Sequence, residues 1–325
     1  MKGAVIGCGL IGRKRAEAFP PDLTLVGGFD IDNSVATRFS KDFSTTQFTS
    51  VSELLADKAI DIVFIATRHD QLADLGRKAI AAGKNVFIEK PGAINYAELK
   101  SVTDLAKGTN LKVHIGYNHR FHPAVIKANE LFSSGAIGEL MFIRGRYGHG
   151  GRIGYEKEWR ADRSKSGGGE LIDQGTHLLD LAYRFLGDIK LEYGAVPTYF
   201  WDMEVEDNAF MSVTNNKGNL AFLQASCTEW KNMFSFEIYG RDGKIDISGL
   251  GRSYGLETLT LHKMLPEMGP PESTTWTFPG EDESWGLEIM QFLEDLRNNS
   301  NQSDNLDSAL SVLKVIEDIY AGDSQ

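Results

Sequence analysis

Short apolar segments alternate with amphipathic ones over the first third of the chain. The apolar runs have the length of buried strands, and the segments between them place apolar residues at helical spacing. Strands that alternate with helices are typical of a parallel, doubly wound sheet. The predicted strands are 2–7, 24–29, 61–66, 85–88 and 112–116, and the predicted helices are 13–19, 33–41, 72–82 and 96–107. We expect Gly83 and Gly108 to end two helices in the left-handed conformation.

The pattern changes after residue 118. A predicted helix at 124–132 and a strand at 139–147 lead into a polar stretch, and a second helix follows at about 170–185. Beyond it, β-like runs are separated by hairpin-like turns. The runs are 191–199, 207–214, 219–227, 234–239, 244–248 and 258–262, the turns are 216–218 and 241–243, and a last amphipathic helix covers 306–321.

The two patterns predict two domains. Residues 1–118 form an α/β domain with a doubly wound parallel sheet of the Rossmann type, and residues 119–325 form an α+β domain with a large, mostly antiparallel open sheet. One face of such a sheet stays exposed unless another surface covers it. We therefore expect a homodimer or homotetramer that forms through the C-terminal sheet.

Composition narrows the class of protein. The 325 residues are enough for two domains with sizeable cores, and 42% hydrophobic with 24% charged residues is ordinary for a globular protein. No apolar run is long enough for a membrane span, and a strand already occupies the N-terminus, so we expect neither a span nor a signal peptide. The net charge of −11 argues against nucleic-acid binding. We expect a cytoplasmic protein whose two cysteines, Cys8 and Cys227, are free thiols.

A glycine-rich turn joins the first predicted strand to the first helix, in the run Val5-Ile6-Gly7-Cys8-Gly9-Leu10-Ile11-Gly12. The first glycine allows a tight turn, the second lets the backbone approach a pyrophosphate, and the third lets the helix pack on the strand. The N–H groups at the start of that helix then face the phosphates. We predict a dinucleotide site that includes Gly7, Gly9, Leu10, Ile11 and Gly12.

Asp30 bears on which dinucleotide binds. It ends the second predicted strand, 18 positions after Gly12, where a carboxylate accepts hydrogen bonds from the adenosine ribose. A carboxylate repels a 2′-phosphate, so NAD is favoured over NADP. The alternative is that Asp30 or Asp32 caps the next helix. One of the two is free to bind ribose if the other caps.

Lys90 lies in the triplet Glu89-Lys90-Pro91, directly after the fourth strand and so at the ligand-binding end of the sheet. The proline favours an extended conformation for Lys90. An ammonium at this place is able to polarise a substrate hydroxyl or stabilise alkoxide charge as hydride leaves. The alternative is a solvated lysine at the junction of a strand and a loop.

Asp173 and His177 follow the triplet Gly167-Gly168-Gly169 and have the i,i+4 spacing of one helix face. A dehydrogenase has to remove a hydroxyl proton, which suits neutral imidazole, and a nearby carboxylate orients the ring. The glycines would let a substrate or cofactor approach the backbone. The alternative is an Asp N-cap and a helical ladder of ion pairs that continues through Asp180 and Arg184.

A third cluster, Gly116-Tyr117-Asn118-His119-Arg120-Phe121, follows the fifth strand at the domain junction. Its Asn and Arg side chains have the chemistry to contact nicotinamide or substrate. The alternative is that they cap the next helix.

These clusters, in this order and at these distances, resemble the Gfo/Idh/MocA family of sugar and polyol dehydrogenases over essentially the whole chain. The resemblance implies the two-domain fold, NAD as cofactor, and catalytic roles for Lys90, Asp173 and His177. The implied cofactor contacts beyond the glycine turn and Asp30 are Thr67, Arg68, Glu89, Lys90 and Asn118; the implied substrate contacts are Lys90, Tyr117, Arg120, Arg163, Asp173 and His177. Many members read Ala-Thr-Pro-Asn after the third strand, whereas this chain reads Ala66-Thr67-Arg68-His69-Asp70.

A basic stretch offers a hypothesis about the substrate. Its positively charged residues are Arg144, Arg146, Arg152, Lys157, Arg160, Arg163 and Lys165. Only three acidic residues offset them, Glu156, Glu158 and Asp162. Part of it is expected to bind an anionic group such as a uronate carboxylate or a phosphate. The alternative is a solvated loop or a subunit contact. The segment 159–163 resembles members linked to surface-polysaccharide or nucleotide-sugar metabolism.

Three functions remain open at the level of sequence. The first is NAD(P)-dependent transfer of hydride between nicotinamide and a secondary hydroxyl or keto group of a sugar, with Lys90, Asp173 and His177 at the reacting centre. The second is a glycosidase that oxidises its sugar transiently with NAD. The third is a sensor that binds dinucleotide without catalysis. We assign no metal ligand.

Overall fold

A computed structural model describes residues 1–298 and 303–323. The chain divides into two compact units, the first formed by Met1–Tyr117 with Trp285–Leu310, the second by Asn118–Ser284 with the described residues from Ser311 onwards. The predicted domains, 1–118 and 119–325, are each continuous, whereas here a C-terminal segment belongs to the first unit.

The first unit contains a six-stranded parallel sheet in the order β3-β2-β1-β4-β5-β6. This confirms the predicted Rossmann-type sheet. Its strands are β1 (Lys2–Ile6), β2 (Thr24–Phe29), β3 (Thr46–Gln47), β4 (Ile62–Ile65), β5 (Asn85–Glu89) and β6 (Val113–Gly116), and its helices up to β6 are α1 (Leu10–Glu17), α2 (Asn33–Phe43), α3 (Val51–Ala56), α4 (His69–Ala81) and α5 (Tyr96–Lys107).

Two glycines that were expected to end helices behave differently. Gly83 follows α4 with φ +76°, as predicted. Gly108 follows α5 with φ −80°, so the prediction of a left-handed residue is wrong there. The reason is Thr109, whose backbone N–H and side-chain hydroxyl both donate to the carbonyl oxygen of Ala106 at 2.9 Å. The last turn is therefore satisfied without a left-handed residue.

The core of the first unit explains why the chain returns to it. Phe64 and Phe87 stack with centroids 5.2 Å apart, and Phe292 of α9 (Ser284–Asn298) packs edge-on against Phe87. Asn305 of α10 (Ser303–Asp323) binds the N–H and the carbonyl of Ile115 at 2.8 and 3.0 Å. The returning segment thus fills the core and satisfies the backbone of the edge strand β6.

The second unit is built on an eight-stranded sheet in the order β14-β13-β12-β11-β7-β10-β9-β8. Strands β7 and β10 run parallel, and the other pairs are antiparallel, which confirms the predicted α+β class. The strands are β7 (Leu140–Gly148), β8 (Lys190–Ala195), β9 (Asn208–Thr214), β10 (Leu220–Ser226), β11 (Met233–Gly240), β12 (Gly243–Ser248), β13 (Glu257–Lys263) and β14 (Glu272–Phe278).

The helical elements of this unit lie before and between the strands. They are the 3₁₀ turns Asn118–Phe121, Tyr155–Lys157 and Trp159–Ala161, the helices α6 (Pro123–Ser133), α7 (Arg163–Ser166) and α8 (Thr176–Leu186), and a π-helical turn at Leu171–Gly175. The predicted helix at 170–185 is therefore two elements.

The two faces of the sheet differ, as strand β7 shows. Ile143, Gly145 and Tyr147 are buried, and a Cβ on Gly145 would lie 3.2 Å from Leu178 of α8. Arg144 and Arg146 alternate with them and are exposed on the other face. Phe222 of β10 has 54% of its surface exposed. Helix α8 thus covers one face of the sheet, and the opposite face is open within the chain.

Candidate active site

The glycine turn after β1 has a backbone path that admits no side chain at two positions. Gly7 has φ +92°, and a Cβ there would lie 2.4 Å from the carbonyl oxygen of Ala66. A Cβ on Gly12 would lie 1.9 Å from the carbonyl oxygen of Gly7. At Gly9 a Cβ would meet no atom within 4 Å. The first and third glycines are therefore required by packing, whereas the second borders open space.

Helix α1 begins directly after that open space. Its N-cap residue is Gly9, no side chain caps the first turn, and Leu10 is 73% exposed. The first N–H groups of a helix have no partner within the helix and favour a bound anion. The turn therefore fits a pyrophosphate by the donors it offers and by the room beside Gly9.

Asp30 and Asp32 have separate tasks. The Asp30 carboxylate accepts the backbone N–H groups of Cys8 at 2.8 Å and of Asp32 at 2.9 Å. Asp32 caps α2 by accepting the N–H groups of Ser34 and Val35. Asp30 thus joins the end of β2 to the glycine turn, and each of its oxygens keeps a lone pair for a further donor. Its carboxylate fits ribose hydroxyls.

Thr67 and Arg68 follow β4. A Cβ on Gly7 would lie 3.0 Å from the Thr67 methyl carbon, so Thr67 borders the glycine turn. Arg68 precedes α4, and its guanidinium binds the Asp70 carboxylate at 3.0 Å. This pair holds the Arg68 side chain against the first turn of α4.

Glu89, the last residue of β5, has a buried carboxylate that accepts a hydrogen bond from Arg15 Nε of α1 at 2.5 Å. Another nitrogen of Arg15 binds Glu288 of α9 at 2.7 Å. The Arg15 guanidinium lies 4.4 Å from the ring centroids of both Phe87 and Trp285. The Glu89 side chain, predicted as a cofactor contact, therefore points into the unit and ties β5 to α1 and α9.

Lys90 comes immediately after Glu89, at the carboxyl end of the strand, and is partly exposed. Its peptide bond to Pro91 is cis. The buried ion pair of Glu89 fixes the backbone from which Lys90 extends. Arg15, the residue behind this arrangement, is absent from the predicted site. The signal in the sequence was an arginine one turn past Gly12 on a helix that packs against the core.

Asp173 lies within the π-helical turn and is buried. Its carboxylate accepts a hydrogen bond from Arg160 Nε at 3.0 Å. Helix α8 begins after Gly175 without a side-chain cap, so Asp173 is not its N-cap. Arg160 belonged to the predicted basic stretch, and the ion pair accounts for one of its charges.

Glu206, just before β9, holds the end of the glycine triplet through hydrogen bonds. One of its oxygens accepts the N–H groups of Gly169 at 2.9 Å and Leu171 at 3.1 Å and the hydroxyl of Tyr320 at 2.7 Å. A Cβ on Gly168 would lie 1.9 Å from that hydroxyl, and one on Gly169 would lie 2.0 Å from the Glu206 carbonyl oxygen. Gly168 and Gly169 therefore serve packing within the protein, and the expectation that they open the backbone to a ligand is wrong.

His177 lies in the first turn of α8 and is buried. Its ring stacks on that of His119, with centroids 3.7 Å apart. Tyr147 of β7 meets it edge-on at 6.1 Å. His119 lies in the cluster 116–121, but it is not among the predicted site residues. The sequence alone does not show that its ring packs against His177.

The remaining candidates of that cluster are partnered. Arg120 binds the Asp180 carboxylate through two nitrogens, at 2.7 and 2.6 Å, and both side chains are largely buried. Asn118 donates to the Ser284 hydroxyl at 2.9 Å. Tyr117 is fully buried. The Asp180 carboxylate thus pairs with Arg120 of the 3₁₀ turn. The ladder of ion pairs expected along the helix did not include this contact.

The basic stretch is not one surface. Arg144 pairs with Glu237 at 2.8 Å and Arg146 with Glu229 at 3.2 Å, both on the open face of the sheet, away from Tyr147 and His177. Arg152 pairs with Glu158 at 2.6 Å, and Lys165 pairs with Asp162. Arg163 is exposed and lies 5.3 Å from the ring of Tyr320. An anion site near His177 is therefore limited to residues from Arg152 onwards.

Two kinds of feature are absent from the described residues, a membrane-spanning helix and a metal-binding cluster. No helix there combines the length and apolar character that crossing a bilayer requires. No group of three or more His, Cys, Asp or Glu side chains there is arranged to bind a metal ion.

The parallel sheet, the uncapped helix start and the Asp30 carboxylate fixed at the end of β2 are the features of a dinucleotide-binding Rossmann domain. Family models agree. Residues 1–117 match the model of an oxidoreductase family with an NAD-binding Rossmann fold, and residues 125–246 match the GFO/IDH/MocA C-terminal domain. The two matches together cover more than half of the chain. The protein belongs to the Gfo/Idh/MocA oxidoreductase family.

Two of the curated relatives are named as sugar dehydrogenases. Levoglucosan dehydrogenase of Pseudarthrobacter phenanthrenivorans is 27% identical over 237 residues, which are 65% of this chain and 60% of that protein. Glucose-6-phosphate 3-dehydrogenase of Bacillus subtilis is 30% identical over 196 residues, which are 59% of this chain and 55% of that protein. The matches therefore span less than two thirds of the length of these relatives.

Solved structures share the fold over the whole chain. Levoglucosan dehydrogenase in complex with NADH and levoglucosan has a TM-score of 0.88 at 21% identity, covering 100% of this chain and 97% of that one. A 3-ketoreductase from Actinomadura kijaniata in complex with NADP and TDP-benzene has a TM-score of 0.85 at 19% identity, covering 99% and 97%. The confirmed likeness is that of the fold.

Proposed function

We propose that this protein is an NAD-dependent dehydrogenase or reductase that transfers hydride between nicotinamide and a secondary hydroxyl or keto group of a sugar or sugar derivative. The observation that carries the proposal is the uncapped start of α1 beside the open space at Gly9, next to the fixed carboxylate of Asp30. Family membership and the named sugar dehydrogenases support the substrate class.

The preference for NAD over NADP follows from Asp30. Its two oxygens are fixed by backbone N–H groups, so the carboxylate is unable to turn away from a ligand without losing those bonds. A fixed negative charge accepts hydrogen bonds from ribose hydroxyls and repels a 2′-phosphate. Related structures contain either cofactor, so this preference is a proposal for the present chain.

We assign each candidate a separate task. Bound NAD would accept hydride from the sugar carbon at its nicotinamide ring. The Lys90 ammonium stabilises the charge that develops on the sugar oxygen. The His177 imidazole takes the hydroxyl proton, and the Asp173 carboxylate favours the resulting imidazolium. In the reductive direction the same imidazole returns the proton to the oxygen.

The basic stretch extends the proposal to charged sugars. With Arg144 and Arg146 on the open face, the candidates that remain for an anionic substituent are Arg152, Lys157, Arg160, Arg163 and Lys165. We therefore propose that sugar phosphates, uronates or nucleotide-linked sugars are substrates. Higher turnover of an uncharged sugar than of its phosphorylated form would contradict the anion site.

The test is a screen of NAD reduction over polyols, aldoses, uronates, sugar phosphates and nucleotide sugars. His177→Asn is expected to lower kcat about 10²–10⁴-fold, and Lys90→Met about 10²–10³-fold. Both variants should still bind NAD in calorimetry. Lys58→Met removes an exposed lysine of the same unit and should change nothing. Full turnover in either site variant would refute its role.

One outcome would favour the hydrolytic alternative. A glycosidase that oxidises its sugar transiently regenerates its cofactor in each cycle. Nicotinamide absorbance would then stay constant while free sugar accumulates. Binding of NAD with neither signal, across the whole panel of sugars, would favour the sensor.

A further inference from the structure

The imidazole rings of His119 and His177 lie almost face to face. Their centroids are 3.7 Å apart and their planes differ by 17°. Each residue is only 5% exposed. His119 belongs to the 3₁₀ turn Asn118–Phe121 and His177 to the first turn of α8. Two separate elements of the second unit thus meet through stacked rings.

His119 is confined on its other sides by aromatic rings. The ring of Tyr147 meets it edge-on at 4.9 Å, that of His122 at 5.6 Å and that of Phe234 at 6.0 Å. A ring bounded in this way by closely packed neighbours keeps one orientation. The plane of His119 therefore defines the plane in which the His177 ring packs.

The charged and titratable groups around the stack come from five elements and from His122, which follows the 3₁₀ turn. Asp173 precedes it on the π-helical turn, and the bonded pair of Arg120 and Asp180 joins the 3₁₀ turn to α8. His122 binds Glu257 of β13 at 3.1 Å. Tyr147 of β7 stays neutral, because burial raises the pKa of its hydroxyl well above the usual value. Strand β10, which α8 also contacts, presents apolar side chains on its buried face.

Two imidazoles at this distance do not titrate independently. Protonation of one ring places a positive charge against the face of the other, and burial reduces the screening of their repulsion. The first proton therefore binds more readily than the second, and the two rings titrate as a coupled pair.

We propose that His119 is a positioning residue for His177, which fixes the plane of the His177 ring and restricts the stacked pair to one proton at a time. The inference rests on the proposed function, in which His177 accepts the proton of a sugar hydroxyl. A neutral His119 leaves His177 able to accept that proton. A protonated His119 opposes it, so the rate of sugar oxidation depends on both rings.

The direct test uses the full chain with ¹⁵N-labelled histidine and requires no turnover. His119→Phe keeps an aromatic ring against His177 and removes the titrating nitrogens. The midpoint of the His177 NMR titration is expected to rise by about 1 pH unit, because the repelling charge is gone. Phe234→Leu changes another neighbour of His119 and keeps the contact between the two imidazole rings. The midpoint of His177 in this variant should therefore match that of the parent. Equal midpoints in His119→Phe and the parent would overturn the proposal.

Kinetics supply the second readout. In His119→Phe the acidic limb of kcat for sugar oxidation should move by the same amount as the NMR midpoint, with KM unchanged. His119→Ala removes the stacking surface, so its kcat should fall further than that of His119→Phe, with folding checked by circular dichroism. An unchanged acidic limb together with a shifted NMR midpoint would count against the role of His177 in the proposed function and leave the coupling of the two rings intact.

Discussion

Gly9 and Gly12 are three residues apart in the same turn, but the protein itself excludes a side chain only at Gly12. At Gly12 the neighbour is the protein itself, since a Cβ would lie 1.9 Å from the Gly7 carbonyl oxygen. At Gly9 the backbone has φ −69°, which any residue adopts, and a Cβ would touch nothing. The spacing of the glycines predicted both the turn and the close packing at Gly12, and the structure adds that Gly9 borders open space.

This separation gives a matched pair of variants. Gly9→Ala should keep the melting temperature of the parent and weaken NAD binding about tenfold or more, because the methyl group occupies the space of the pyrophosphate. Gly12→Ala should lower the melting temperature as well, because the helix has to move. Calorimetric titration and thermal unfolding measure the two effects. A loss of stability in Gly9→Ala equal to that in Gly12→Ala would contradict the assignment.

The carboxylate of Glu237 predicts how the stability of the protein changes at acidic pH. Partial burial opposes its ionisation, but hydrogen bonds from Arg144, Lys244 and Tyr239 outweigh burial and lower the pKa of the carboxyl from 4.5 to about 2. A pKa that is lower in the folded state contributes stability above the unfolded value, and that contribution is lost as the pH falls from 4.5 towards 2.

The measurement is urea unfolding of the parent and of Glu237→Gln between neutral pH and pH 2. The parent should be the more stable at neutral pH, and the difference should shrink below pH 4.5. Glu139→Gln serves as control, because that side chain and its partner Arg241 are both more than 70% exposed. A difference that stays constant down to the acid end would rule out the linkage.

At the scale of elements, the sequence predicted those helices and strands that have a clear apolar periodicity or a capping residue. Helix α5 has its predicted bounds because Asn95 caps its first turn and an apolar stripe runs along it. Strand β14 was missed because most of its residues are exposed and show no alternation. The π-helical turn was also missed, since no residue pattern distinguishes it from an α-helix. It is fixed by the Glu206 carboxylate, 35 positions after Leu171.

Local contacts of the candidate residues were predicted well, whereas contacts with distant partners were not. The sequence allowed one of Asp30 and Asp32 to cap the next helix, and Asp32 is that cap. Arg120, which was expected to contact substrate, proved to pair with Asp180. Sixty positions separate these two residues, and a single sequence does not show that they meet.

The Arg120–Asp180 pair connects the 3₁₀ turn to α8, and both of its side chains are largely buried. Asp180→Asn or Arg120→Met alone is expected to reduce the free energy of unfolding by about 3–5 kcal/mol, because each leaves a buried group without its partner. The double variant Arg120→Met/Asp180→Asn should lose less than the sum of the two. Additive losses in chemical denaturation would show that the pair contributes no coupling.

At the scale of the whole molecule, one face of the eight-stranded sheet is exposed because no other described part of the second unit packs on it. Phe210, Phe222 and Tyr193 line a groove on it together with Arg144 and Glu237. Exposed aromatic area of this kind marks a contact surface. The predicted homo-oligomer through this sheet follows from it and stays a prediction.

Phe222→Glu places a charge at the centre of that face and should convert an oligomer to monomers in sedimentation velocity at micromolar concentration. Leu105→Glu adds the same charge to α5, where the leucine is 39% exposed, and should leave the oligomer intact. A monomeric parent protein would remove the prediction.

The thiol of Cys8 lies in the cofactor turn itself. Burial, and then the negative charge of Asp30, raise the pKa of this thiol to about 12, and the residue is 1% exposed. Alkylating agents and peroxides attack the thiolate, and at neutral pH almost none is present here. Cys8 is therefore expected to react slowly with alkylating agents and peroxides, although it lies in the glycine turn.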